Sequence, residues 1–137
     1  MGAFATIDIA ATGADVSQLW LETIAHNLAN VNTVRSPDEE PFRALLVHAQ
    51  EDLDGRGGPG IGVRATELLR SAGDPMWVYE PDHPLASDEG YVVRPVIDVA
   101  GEMSDLIVAQ RSYQMNLQVI RTGEETYQAA LRIGRPS

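Results

Sequence analysis

The sequence predicts a mainly α-helical protein in which a long helix at each end flanks a small, β-rich middle segment. Near both ends of the chain, apolar residues recur at spacings of three and four, which is the period of a helix that buries one face. All eight prolines lie outside these two stretches, whose interiors proline would break. We therefore expect helices over residues 4–30 and 98–133.

One row of residues in each predicted helix repeats with the spacing of a coiled-coil seam. In the first helix the row is Ile7, Ala14, Leu21 and Leu28, and in the second it is Met103, Leu106, Tyr113, Leu117, Ile120 and Tyr127. Gln18 and Gln110 interrupt the two repeats, either as register-setting residues or as surface residues of a loose heptad. We expect the two rows to pair as an α-helical coiled coil, because a helix in water needs a packed apolar face.

A second apolar stripe lies on a different face of each predicted helix. One partner helix cannot cover both faces, and leaving the stripes in water forfeits roughly ten kcal/mol, at about 1.5–3 kcal/mol per side chain. We therefore predict that neighbouring subunits cover the second stripes. The predicted interface residues are Val16, Trp20 and Ile24 on the first helix, and Val108, Met115 and Val119 on the second.

Three asparagines, Asn27, Asn30 and Asn32, mark the end of the first predicted helix. Asparagine tolerates left-handed backbone, and its side chain can hydrogen-bond the carbonyl groups that become free at a helix end. The same position is where a subunit would meet its neighbours. We therefore assign the three asparagines both to a C-terminal cap and to the subunit interface.

The second predicted helix has marked ends. Asp98 is suited to cap its N-terminus, where Glu102 also meets the positive end of the helix dipole. Gly134 followed by Pro136 ends the helix. These boundaries predict three regions: an N-terminal assembly helix over residues 1–31, a small β-rich central segment over 32–97, and a C-terminal assembly helix over 98–137.

The central segment contains four runs with β character, each bounded by turn residues. The predicted strands are residues 42–48, 61–69, 76–79 and 91–93. Glycines at 55, 57, 58, 60 and 62 indicate a turn between the first two runs. This glycine-rich turn lacks the Lys-Ser/Thr pair of a phosphate-binding loop.

One loop is rich in side chains that can bind a divalent ion: Glu80, Asp82, His83, Asp88 and Glu89. The simpler interpretation is a solvated loop, because acidic residues are frequent throughout this chain and two prolines set turns there. His26 and His48 have no nucleophile placed near them by the sequence. We therefore predict no catalytic, metal or cofactor site and no enzyme activity.

Charge and cysteine content exclude several classes of protein. A formal net charge of -10 argues against binding to nucleic acid or to an anionic membrane, because both need a basic surface. The absence of cysteine excludes disulfides and thiolate nucleophiles. Residues 1–15 have no basic residue and no unbroken apolar run, so we expect no cleaved signal peptide and no insertion into a membrane.

Three stretches of the sequence resemble a known family. Residues 24–33, I-A-H-N-L-A-N-V-N-T, resemble the signature that opens the rod, hook and hook-associated proteins of the bacterial flagellar axial family. Residues 78–92, V-Y-E-P-D-H-P-L-A-S-D-E-G-Y-V, and residues 102–117, E-M-S-D-L-I-V-A-Q-R-S-Y-Q-M-N-L, resemble the proximal-rod proteins of the FlgC type. The resemblance spans both helices and much of the central segment.

This resemblance implies a structural subunit of the proximal rod of the flagellar basal body, which polymerises through its terminal helices into the axial drive shaft for motility. The implied partners are copies of itself, other rod proteins, the basal-body adaptor and the flagellar type III export apparatus. The implied location is the periplasmic rod, reached without a cleaved signal peptide. The alternative is a soluble coiled-coil adaptor or dimerisation module, which would differ in what covers the second stripes.

Overall fold

A computed structural model describes residues 3–53 and 60–134. Its elements are α1 (Ala3–Ala29), β1 (Leu45–Asp52), β2 (Gly62–Arg70), β3 (Met76–Tyr79), β4 (Tyr91–Arg94) and α2 (Val99–Ile133). Both helices and all four strands fall close to their predicted positions, which confirms a mainly α chain with a β-rich middle. Most of the predicted glycine-rich turn, and Pro136, lie outside the described residues.

The two helices lie side by side and run in opposite directions. Near one end, the rings of Phe4 and Tyr127 meet edge to face with their centroids 4.9 Å apart. Further along, the Ser17 hydroxyl donates to the Ser112 hydroxyl over 3.1 Å. The two helices are therefore antiparallel, and they are paired over most of the length of α1.

Small residues allow the two helices to approach each other closely. Ala109 of α2 is completely buried. A Cβ atom added at Gly13 would lie 2.9 Å from the side-chain nitrogen of Asn116, and one added at Gly123 would lie 2.7 Å from Cγ1 of Ile7. The distance between packed helices depends on the side chains at their contact, so glycine, alanine and serine set this spacing.

The N-terminus of α2 is capped as predicted. The Asp98 side chain accepts a hydrogen bond from the backbone nitrogen of Gly101 at 3.1 Å, and the Asp98 backbone is extended, with φ −78° and ψ 90°. Glu102 lies in the first turn of α2. The cap satisfies one of the backbone donors that a helix start leaves without a partner.

Strands β1 and β2 form an antiparallel hairpin that packs against α1. The Thr12 hydroxyl joins the two elements, because it donates to the carbonyl of Ile9 at 2.7 Å and accepts from the backbone nitrogen of Val63 at 3.1 Å. A Cβ atom added at Gly62 would lie 2.5 Å from the Thr12 hydroxyl oxygen, and Gly62 has a φ of +153°. Glycine is therefore required where β2 begins against α1.

Strands β3 and β4 form a second, smaller antiparallel hairpin. It packs against the segment that follows α1: the backbone nitrogens of Arg35 and Val93 each donate to the other residue's carbonyl, both at 2.9 Å. Val92 and Val93 are buried. Within the described part of the chain, neither helix combines the length and the apolar character that crossing a bilayer requires.

We predict that Gly62→Ala weakens the docking of the first hairpin on α1. The added methyl group meets Thr12 in a backbone conformation that L-residues rarely adopt, so we expect the free energy of unfolding to fall by about 1–3 kcal/mol. Urea titration followed by tryptophan fluorescence, in a Trp77→Phe background so that only Trp20 reports, measures this change. The control is Gly73→Ala, whose added Cβ atom finds its nearest neighbour at an ordinary 3.6 Å and should leave stability nearly unchanged. Equal effects of the two substitutions would contradict this account.

Candidate subunit interface

The amide of Asn27 joins α1, β1 and α2 at one point. Its nitrogen donates to the carbonyl oxygen of Leu45 at 2.8 Å and to Oε1 of Glu102 at 2.9 Å. Its oxygen accepts from the backbone nitrogen of Leu45 at 2.8 Å. The side chain therefore pairs with Leu45 as a neighbouring strand would, and it ties the end of α1 to the start of α2.

The chain leaves α1 through tight turns rather than through a left-handed cap. The backbone nitrogen of Asn30 bonds the carbonyl of Asn27, three residues back, at 3.1 Å. The Asn30 side-chain amide also donates to the carbonyl of His26, at 2.9 Å. Among the described residues, only glycines have positive φ, so none of the three asparagines adopts the left-handed backbone that asparagine tolerates. Asparagine acts here through its side chain.

The chain itself covers two of the predicted interface residues. Ile24 is 2% exposed and Asn27 is 1% exposed within the single protomer. Contrary to the prediction that a neighbouring subunit covers these side chains, neither is left on the surface. The reason is that the first hairpin and α2 both pack onto this part of α1, a contact that helix periodicity does not reveal.

Val16 and Trp20 lie in an open groove between α1, α2 and the first hairpin. The groove has a volume of about 480 Å³. Its walls include Val47 and Val63 from the hairpin, and Ser112 from α2. The hairpin therefore covers part of the second stripe of α1, and Val16 and Trp20 remain half-buried and accessible from outside.

The second stripe of α2 is exposed in the protomer. Val108 is 53% exposed, Met115 is 64% exposed and Val119 is 41% exposed. These residues adjoin the groove, because Ser112 lies four residues after Val108 and three before Met115 on the same side of the helix. Groove and stripe together form one continuous surface. Asn32 is also exposed, and Asn30 is half-buried at the end of α1.

The residues predicted to form the seam take different positions. Ala14 is buried, and Ile7 lies against Gly123. Met103 is 48% exposed, and Tyr127, although 40% exposed, packs on Phe4. The remaining seam residues are half-buried: Leu21, Leu28, Leu106, Tyr113, Leu117 and Ile120. Gln18 and Gln110 are exposed, and Gln18 bonds Glu22 on its own helix at 3.0 Å, as a surface residue does.

A line of small and polar residues contributes to the helix contact, and sequence reasoning did not identify it. On α2 the line is Ala109, Ser112, Asn116 and Gly123. It lies roughly 80° around the helix axis from the predicted seam, at about 100° per residue. The facing residues on α1 are Ala10, Gly13, Ala14 and Ser17. Their recurrence at intervals of one, three and four residues is the sequence signal for this contact.

The loop that sequence analysis considered for metal binding has other contacts. Glu80 accepts from Arg94 at 2.8 Å, and Nδ1 of His83 accepts from the backbone nitrogen of Leu85 at 3.1 Å. Across the described residues, no three histidine or carboxylate side chains are grouped to hold a metal ion.

Comparison with known proteins identifies the class of this fold. Residues 89–133, which include β4 and α2, match the family described as flagellar basal body rod FlgEFG protein C-terminal. Over 128 residues, or 93% of this chain, the sequence is 38% identical to the flagellar basal-body rod protein FlgC of Salmonella typhimurium, with 95% of that protein covered.

Similar proteins occur in two further organisms. FlgC of Borreliella burgdorferi is 31% identical over 97% of this chain and 98% of its own length. FlgC of Bacillus subtilis is 29% identical over 98% of this chain and all of its own length. The chain belongs to the FlgC family of flagellar basal-body rod proteins.

We predict that Asn27→Asp destabilises the junction of α1, β1 and α2. The substitution removes the amide donor and places a second carboxylate beside Glu102 and the Leu45 carbonyl, at a cost of about 2–4 kcal/mol. Urea titration followed by circular dichroism measures the loss. Asn32→Asp adds the same charge at an exposed position and should be nearly neutral. Equal losses for the two variants would refute the role of Asn27.

Proposed function

We propose that this protein is a structural subunit of the proximal rod of the flagellar basal body, which polymerises through α1 and α2 into the axial drive shaft. The observation that carries the proposal is the exposed row Val108, Met115 and Val119, in a chain related along nearly its whole length to rod proteins. The FlgC family is structural, and its function is assembly rather than catalysis.

Burial energetics favour a polymer over a soluble adaptor. Covering the exposed row on α2 is worth several kcal/mol, at about 25 cal/mol per Å² of apolar surface removed from water. The groove beside it adds Val16 and Trp20, so the apolar surface extends from α2 onto α1. A two-chain coiled coil would cover one line on each helix. Packing among several neighbours in a tube wall covers this wider surface.

Assembly uses different faces of the two helices for different contacts. In the rod, α1 and α2 pair along the seam residues as a coiled coil, while Val16, Trp20, Asn30, Asn32 and the α2 stripe meet neighbouring subunits. The neighbours are copies of this chain, other rod proteins and, at the proximal end, the basal-body adaptor. The chain reaches the periplasm through the flagellar type III export apparatus without a cleaved signal peptide.

The C-terminal third of α2 is exposed to solvent within a single chain. Every residue from 124 to 134 is exposed. An isolated helix in water is marginal, because its nucleation is unfavourable and its propensity is small. This part of α2 therefore depends on neighbours for its order, so that assembly and helix formation are coupled.

We predict that the isolated protein keeps the junction at Asn27 but shows clearly less helix than the 27 residues of α1 and 35 residues of α2, because the end of α2 lacks neighbours. Far-UV circular dichroism in dilute solution measures the helical content. A fully helical monomer or dimer would count against assembly-coupled folding and in favour of the adaptor.

Deletion of the gene, followed by electron microscopy of basal bodies, tests the proposed function directly. We expect the rod to stop at its proximal end and motility to be lost, whereas intact flagella would overturn the proposal. Complementation with Met115→Asp should fail, because it places a charge on a surface that assembly buries. Leu21→Asp or Leu117→Asp should fail as well, because each places a charge in the seam between α1 and α2. Glu39→Ala, in an exposed loop, should restore motility.

A further inference from the structure

The outward faces of the two helices carry opposite charge. On α1, the acidic residues Asp8, Asp15 and Glu22 are exposed and spaced seven residues apart, so they form one line about 21 Å long. The helix contains no lysine or arginine. Measured around the axis of α1, this acidic line lies roughly 130–170° from the face that packs on α2, on the far side of the helix. We call it the acidic face.

On α2, three arginines form the counterpart. Arg111, Arg121 and Arg132 are exposed, and they lie roughly 120–160° round α2 from its contact with α1. Glu125 is also exposed on this side, so the face carries three positive charges and one negative charge. We call it the basic face.

None of the seven charged residues on the two faces forms a salt bridge within the described residues. The four salt bridges there all lie in the central segment: Arg35–Glu39, Arg64–Asp52, Arg70–Glu40 and Arg94–Glu80. Glu22 accepts one hydrogen bond, from Gln18 of its own helix. The charges of both faces therefore remain available to another molecule.

We propose that the acidic face of one copy packs against the basic face of the next copy. The proposal rests on the proposed function and names the contact through which copies of this chain associate. Because the two faces lie on opposite sides of the helix pair, they meet head to tail, and such a contact generates a ring or a helical array. A symmetric contact would instead place like charges together, which is repulsive.

The charge of the whole chain makes a second copy the fitting occupant. With a net charge of -10, two chains repel each other in most orientations. Contacts that include the basic face of α2 reduce this repulsion, and the acidic face of α1 supplies its complement. Because Ile7 contacts Gly123 within the chain, Asp8 and Arg121 lie at nearly the same position along the helix axes. Copies packed side by side therefore bring these two charges together.

Charge reversal in cells tests this contact. One variant reverses the acidic face (Asp8→Arg, Asp15→Arg and Glu22→Arg), a second reverses the basic face (Arg111→Glu, Arg121→Glu and Arg132→Glu), and a third carries all six substitutions. Each is expressed in the deletion strain, and the amount of the protein in purified basal bodies is measured by immunoblot. We expect roughly tenfold less protein for the first two variants and substantial recovery for the third.

The controls separate this inference from the proposed function. Asp74→Arg changes an exposed charge outside both helices and should leave incorporation unchanged. Absence of the wild-type protein from basal bodies overturns the proposed function itself. If the wild type is present, normal incorporation of either single-face variant overturns the inference. Failure of the sixfold variant also overturns it, since the faces would then meet different partners; its recovery excludes misfolding as the cause.

Discussion

The described fold depends on one buried amide. The side chain of Asn27 meets both backbone groups of Leu45 and the carboxylate of Glu102, so the end of one helix, the start of a strand and the start of the other helix meet there. A buried polar group without partners is costly, and only this arrangement of three elements satisfies the amide. The contacts of Ser17 with Ser112 and of Phe4 with Tyr127 follow further along the same antiparallel pairing.

The choice of small residues at the helix contact shapes the surface that remains. With Ala109, Ser112 and Gly123 placed against α1, the larger apolar residues of α2 lie beside the contact or face away from it. Val108 and Met115 are exposed for this reason. A chain that buried its largest apolar residues within the protomer would expose less apolar surface to a neighbouring subunit. Close packing inside the subunit and apolar surface outside it are thus two results of one arrangement.

The central segment does more than connect the helices. Its first hairpin is held on α1 through the Thr12 hydroxyl and the close approach at Gly62, and it forms one wall of the groove that contains Trp20. The surface proposed for assembly therefore combines helix and strand residues. Its shape depends on the position of the hairpin as well as on the pairing of the two helices.

The sequence by itself determined the features that depend on local interactions. Proline placement, apolar spacing and the Asp98 cap located both helices, because these signals act within a few residues of the chain. Only the tertiary structure decided which face of each helix packs. A helix with two apolar stripes can turn either stripe toward its partner, and the spacing of its apolar residues is consistent with both orientations. Ile24 shows the difference: its spacing indicated a buried face, but only the hairpin and α2, distant in sequence, determined that the chain itself covers it.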